Sequence, residues 1–215
     1  MTKTIWWGVM VWTAGAGAFT TGCSSDADPG SSGASGAGGG LATGGAGGAH
    51  HAVPAQANLT LSVHPATGAG CPVAGQTYEV GDPKGPNAVS PGDRLIDGEQ
   101  GAAITCSVRG TGSYTFSGAI RGTTAQADLV DVKMTDGSVT GETSTVTLSV
   151  YTPQLGSSFT STAGGCTVNV IGDNVKPGAI WANVACPTIT DPSTPGVTCS
   201  VGSVSTFVFE NCDGT

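Results

Sequence analysis

From Asn58 to the C-terminus, apolar residues recur at every second position. Leu59, Leu61 and Val63 alternate with polar neighbours, as do Ile104, Cys106 and Val108, then Tyr114, Phe116 and Ile120, then Val130, Val132 and Met134. Val146, Leu148 and Val150 repeat the pattern, followed by Cys166, Val168 and Val170, and by Ile180, Ala182, Val184 and Cys186. The last run carries Cys199, Val201, Val204, Phe207 and Phe209. Successive side chains of a strand point to opposite faces, so a period of two marks strands with one face buried and one wet. Gly, Pro, Asp and Asn separate the runs, and none of them keeps a helical period. About eight to ten short strands joined by turns are expected. They predict an all-β domain, an antiparallel β-sandwich of jelly-roll or Greek-key type.

Turn chemistry sharpens one hairpin. Asp136-Gly137 is a favoured two-residue turn and is expected to join a strand at 127–135 to one at 138–151. That register puts Val139 in phase with Met134, whereas Val146, Leu148 and Val150 have the other parity. The second strand must therefore shift by one residue, and Gly141 is the expected β-bulge. Residues 81–101 hold Pro83, Pro86, Pro91 and much of the local charge, and read as a long surface loop.

Ahead of the domain the pattern vanishes. Residues 26–57 are mostly Gly, Ala and Ser, which cannot bury enough surface to offset chain entropy, and are expected to form a flexible tether. His50-His51 lies in it and is read as a solvated pair. Residues 1–22 read as a signal peptide: Lys3 gives the positive start, and an apolar stretch begins at Ile5-Trp6-Trp7. Two cleavage sites compete. Ala16-Gly17-Ala18 suits ordinary signal peptidase, with Phe19 as the new N-terminus. Thr20-Thr21-Gly22-Cys23, followed by Ser24-Ser25-Asp26, resembles the lipobox of bacterial lipoprotein precursors, with Thr20 standing where that class prefers Leu. The resemblance covers residues 1–26 and implies a lipid on Cys23, a membrane anchor and a place in the bacterial cell envelope, at the outer membrane or cell surface. A secreted soluble form is the alternative. The domain organisation is then a leader at 1–22, a lipidation cysteine and tether at 23–57, and one domain at 58–215.

Cysteine count supports this division. The chain has seven cysteines, and lipidation accounts for the odd one. Cys71, Cys106, Cys166, Cys186, Cys199 and Cys212 remain, with no Cys-x-x-Cys and a single histidine, His64, beside them. An exported chain meets an oxidising compartment, so three disulfides are expected rather than a metal site. The pairing preferred from loop lengths is Cys71–Cys106, Cys186–Cys199 and Cys166–Cys212.

Charge and composition exclude some functions. The net charge is −8, and charged residues make up 10% of the chain. With no basic cluster, nucleic-acid binding is excluded, and so is electrostatic docking to anionic membranes. No cofactor motif and no Gly-x-Ser-x-Gly elbow occurs. Asp128 and Asp131 read as surface charge. For a cation such as calcium, the candidate ligands are Asp82, Asp93, Asp97 and Glu99, with Asn87 nearby. For a glycan, the candidates are Trp181 and Tyr151, which lie on strand faces opposite the core. The expected function is a non-enzymatic surface lipoprotein, a binding or structural module for a protein or glycan ligand. The alternative is a carbohydrate- or calcium-binding envelope module. A hydrolase would need His64 to meet a hydroxyl and a carboxylate.

Overall fold

A computed structural model describes residues 53–67, 70–83, 92–141 and 143–214. All lie in the second of the chain's two compact units, residues 47–215. The leader, Cys23, His50-His51 and Asn87 fall outside the described residues.

Among the described residues, eleven strands make one antiparallel sheet: β1 (Gln56–Pro65), β2 (Gln76–Val80), β3 (Leu95–Ile96), β4 (Ala103–Thr111), β5 (Ser113–Thr123), β6 (Leu129–Thr140), β7 (Thr143–Tyr151), β8 (Ser158–Thr160), β9 (Cys166–Lys176), β10 (Ala179–Thr190) and β11 (Thr198–Glu210). The all-β, antiparallel, disulfide-stabilised class expected from the alternation is what forms. Its order is β2-β1-β11-β10-β8-β7-β6-β5-β4, with β3 on β1 and β9 between β10 and β7. β8 and β9 are successive parts of one path: β7 pairs with β8 at Ser149–Tyr151 and with β9 at Thr145 and Val146. From β4 to β11 the chain is therefore a meander, and β1 adds on the far side of β11. This connectivity is neither the jelly roll nor the Greek key expected, because each strand path from β4 onward turns straight back onto its sequence neighbour.

This single sheet curls over one core. Phe116 of β5 stacks on Phe207 of β11 with ring centroids 5.7 Å apart. Gly118 of β5 lies under the Phe209 ring, and Gly122 faces Val80 of β2. The edge strand β4 is stitched to the β9–β10 turn and to the segment after β11. Val108 donates its N–H to the Asp213 carbonyl at 2.9 Å, and Gly178 donates to the Val108 carbonyl at 2.9 Å. Pairing that edge leaves fewer open backbone groups to recruit another chain.

The core is the set that the alternation named. Leu59, Leu61, Val63, Ile104, Val108, Phe116, Ile120, Val130, Val132, Met134, Val146, Leu148, Val150, Ile180 and Val184 are all buried. Some positions differ, and Cys106 and Val170 are only half-buried. On β1 the polar residues Asn58, Thr60 and Ser62 are buried as well, so this strand is covered on both faces. Val204 is 52% exposed, because β11 runs from Val201 to Ser205 while β10 runs only from Cys186 to Val184, and the surplus residues swing outward. Tyr114, near the start of β5, is half-buried rather than in the core.

The expected hairpin has its turn and bulge interchanged. β6 continues through Asp136-Gly137, and the chain reverses between the paired residues Thr140 and Thr143, with Gly141 at a φ of 55°. The bulge lies at Asp136-Gly137, where pairing shifts by one residue against both β5 and β7. Packing decides this. A Cβ at Gly137 would stand 2.5 Å from the Phe116 ring, so the glycine is needed to seat that ring rather than to turn the chain.

All six domain cysteines are bridged, but none of the three preferred pairings forms. The disulfides are Cys71–Cys199, Cys106–Cys212 and Cys166–Cys186. Loop length misled because spatial neighbours follow sheet order. Pro65 pairs with Cys199, which carries the segment after β1 toward β11. Asp213 bonds to Cys106 across the β4 seam. Thr167 pairs with Ala185, which leaves Cys166 opposite Cys186.

Candidate functional site

A groove of about 310 Å³ lies over Trp181. Its origin is a surplus of residues in β9. Val175 pairs with Ile180 and Val170 with Ala182, so four residues, 171–174, stand opposite Trp181 alone. Gly172 takes a φ of 60°, and the Asn174 side-chain amide donates to the Ile171 carbonyl at 2.7 Å, which closes the loop-out locally. Bulges bend a strand away from its partner and re-aim side chains. Here the bulge raises Asp173 and Asn174 as one wall, with Lys176 at its end.

The floor comes from the sheet. Trp181 pairs with Val208, and both line the groove. Trp181 is 7% exposed, held firmly enough to act as a fixed surface rather than a mobile side chain. The opposite wall is an ion pair. Arg94 Nε lies 2.6 Å from Glu210 Oε2, and Arg94 Nη2 donates to Glu210 Oε1 at 2.6 Å. Arg94 Nη1 also donates to the Gly92 carbonyl at 2.8 Å. One hydrogen bond and a second close contact of opposite charges hold the two side chains together. Among the described residues, the four charged side chains around the groove, Arg94, Lys176, Asp173 and Glu210, balance in sign.

Of the two sequence-named aromatics, only Trp181 reaches this groove. Tyr151 is half-buried at the other end of the sheet. The register shows why: Tyr151 pairs with Ser158, beyond the Thr160–Thr190 contact, while Trp181 lies beyond the Thr167–Ala185 contact in the opposite direction. About ten residues of strand, roughly 33 Å, separate them. No Trp181–Tyr151 strip exists.

Among the described residues the cation candidates do not gather into one site, and the Asp97 carboxylate holds the backbone. Asp97 Oδ1 accepts the Ile104 N–H at 2.7 Å, and Asp82 and Asp93 exchange backbone hydrogen bonds of 3.0 and 3.1 Å. Glu99 sits exposed in the turn before β4. Among the described residues no three Asp, Glu, His or Cys side chains gather for a metal.

His64 does meet a hydroxyl. Its Nε2 shares a 2.8 Å hydrogen bond with Ser62 Oγ, which also contacts Thr77 Oγ1 at 3.3 Å. Residues i and i+2 share a strand face, so this contact is local. Ser62 is 3% exposed, which shields the hydroxyl from a substrate. Among the described residues, Ser62 is the partner the imidazole bonds to.

Two shifted groups lie away from the groove. The hydroxyl and backbone N–H of Ser193, at 2.6 and 2.8 Å, hold the Asp191 carboxyl down at about 2, helped by the Ser157 hydroxyl at 2.9 Å. Burial pushes the Tyr78 phenol up, while a Thr152 hydroxyl at 3.2 Å acts in the other direction.

The chain matches no family model, no curated protein and no solved structure.

Proposed function

We propose that the protein is an exported, non-enzymatic binding module, anchored in the bacterial cell envelope by a lipid on Cys23 and held off the membrane by its Gly/Ala/Ser tether. The observation that carries the binding part is the groove over Trp181. Its bulge, its indole floor and its clamped Arg94–Glu210 wall make a rigid concavity with mixed polar and apolar lining. Such lining is what small-ligand sites use. Export is supported by three disulfides in a domain of this size, since such bridges persist in oxidising compartments. The anchor rests on the Gly22-Cys23 motif, and two acyl chains suffice for stable attachment.

Intact-mass analysis of the protein made in a lipoprotein-processing bacterium tests this directly. The expected product begins at Cys23 and carries added acyl mass, and Cys23→Ala moves the protein out of the membrane fraction or leaves it unprocessed. A mature N-terminus at Phe19 with an unmodified Cys23 overturns the anchor.

A further inference from the structure

We infer that the groove over Trp181 is a saccharide site, taking one or two neutral glycosyl residues of an envelope or environmental polysaccharide. This rests on the binding-module reading and names its ligand class. Three features of the groove point to a sugar. First, its volume of about 310 Å³ lies at the low end for small-molecule pockets, which suits a compact ligand rather than a peptide strand. Second, part of the lining is apolar, from Val175, Ala179 and the exposed edge of Trp181, and a pyranose offers one face of C–H groups to such a surface. Third, the rim is amphoteric. Asp173 and Glu210 accept hydrogen bonds, Lys176 and Arg94 donate them, and Asn174 does both. Each sugar hydroxyl is likewise donor and acceptor.

Charge balance separates this ligand from its rivals. Among the described residues, two cations and two carboxylates leave the groove with no net formal charge, and the Arg94 guanidinium is already engaged by Glu210. A phosphate or other anion would have to compete with that pair. A divalent cation needs several oxygen ligands together, and the two carboxylates stand on opposite walls. A neutral polyol needs neither. The bulge also gives the site its shape without disturbing the core: Val175 and Ile180 stay paired directly beside it.

The test uses the full chain, purified in detergent, titrated by calorimetry with maltohexaose, cellohexaose, chitohexaose and galactohexaose up to about 10 mM. Inorganic phosphate and Ca²⁺ serve as charged probes, and pelleting with the matching insoluble polymers distinguishes chain ends from internal residues. At least one neutral oligosaccharide is expected to bind. Asp173→Ala and Lys176→Ala are exposed changes that leave the core intact, and each should weaken binding about tenfold without shifting the melting temperature. Trp181→Ala should abolish binding. If that variant fails to fold, the two wall variants decide. Absence of binding to every neutral probe, or binding that none of the variants weakens, overturns the saccharide assignment. Binding of a charged probe that Asp173→Ala or Lys176→Ala alters would overturn the sugar while leaving a binding module standing. Turnover of a bound probe would overturn the binding-module reading itself.

Discussion

Removing the disulfides one pair at a time gives a ranked prediction that the structure sets. The bridges close loops of 128, 106 and 20 residues. Taken alone, these correspond in the chain-entropy account to about 4.9, 4.8 and 3.3 kcal/mol. The two long loops overlap, however. With Cys106–Cys212 intact, the Cys71 and Cys199 ends are already tied through the short stretches 71–106 and 199–212, about 48 residues in all, and the same holds in reverse. Deleting either long bridge from the fully linked protein should therefore cost about 4.1 kcal/mol, and deleting Cys166–Cys186 about 3.3 kcal/mol. For a domain of this size that is roughly 8–16 °C and 7–13 °C in melting temperature. The three together amount to about 12 kcal/mol, comparable with the whole net stability of a typical domain, so the fully reduced protein should be unfolded near ambient temperature. Double alanine variants avoid leaving a hydroxyl in the core, where Cys166, Cys186 and Cys199 are fully buried. Calorimetry of each variant, with non-reducing peptide mapping to verify the bridges, is the assay. A protein that melts alike with and without reductant would refute the reasoning, as would a Cys166–Cys186 deletion costing clearly more than either long-bridge deletion.

Other outcomes follow from local geometry. Gly137→Ala drives a Cβ to 2.5 Å from the Phe116 ring and should cost about 1–3 kcal/mol, read as a drop in denaturation midpoint. Gly141→Ala meets no atom within 4 Å and carries only the left-handed backbone cost, about 1–2 kcal/mol, so Gly137 as the milder site in side-by-side melts would count against the turn and bulge assigned here. Asp191→Asn should lower stability at neutral pH by weakening its hold on Ser193 and Ser157. Its folded carboxyl sits near 2 against an ordinary 3.8, so its contribution is present above 3.8 and is lost as the pH falls through about 2. The difference between wild type and variant should therefore close over that window, and a gap that widens on acidification would contradict the assignment.

Much of the fold was legible because a strand with one buried face writes its period into the sequence. Leu148 and Val150 are buried as their parity requires. What escaped was set by distant chain. That β1 lies beside β11 depends on closure of the whole meander, and the disulfide pairing depends on that neighbour relation. Asp136-Gly137 carries turn chemistry, yet Phe116, some twenty residues earlier, uses the glycine for packing. Within the site, Trp181 was legible as an aromatic on the face opposite Ile180. Tyr151 failed as its partner because parity fixes a face and says nothing of position along the sheet. Asp173 and Lys176 were missed, although Gly172-Asp173-Asn174 breaks the alternation that runs through Val168 and Val170. An isolated glycine and turn-forming pair inside a strand is a bulge signal. Arg94 and Glu210 left no such trace, being 116 residues apart.

The central claim is that the groove over Trp181 is where this domain meets its ligand. Backbone amide chemical shifts of the isotope-labelled protein, recorded while adding the best-binding neutral oligosaccharide, test it most directly. Perturbations should concentrate at Asp173–Lys176, Trp181 and Val208–Glu210, with Arg94 joining them through its ion pair. Shifts centred instead on Ser62 and His64, or on the Tyr151 end of the sheet, would contradict it.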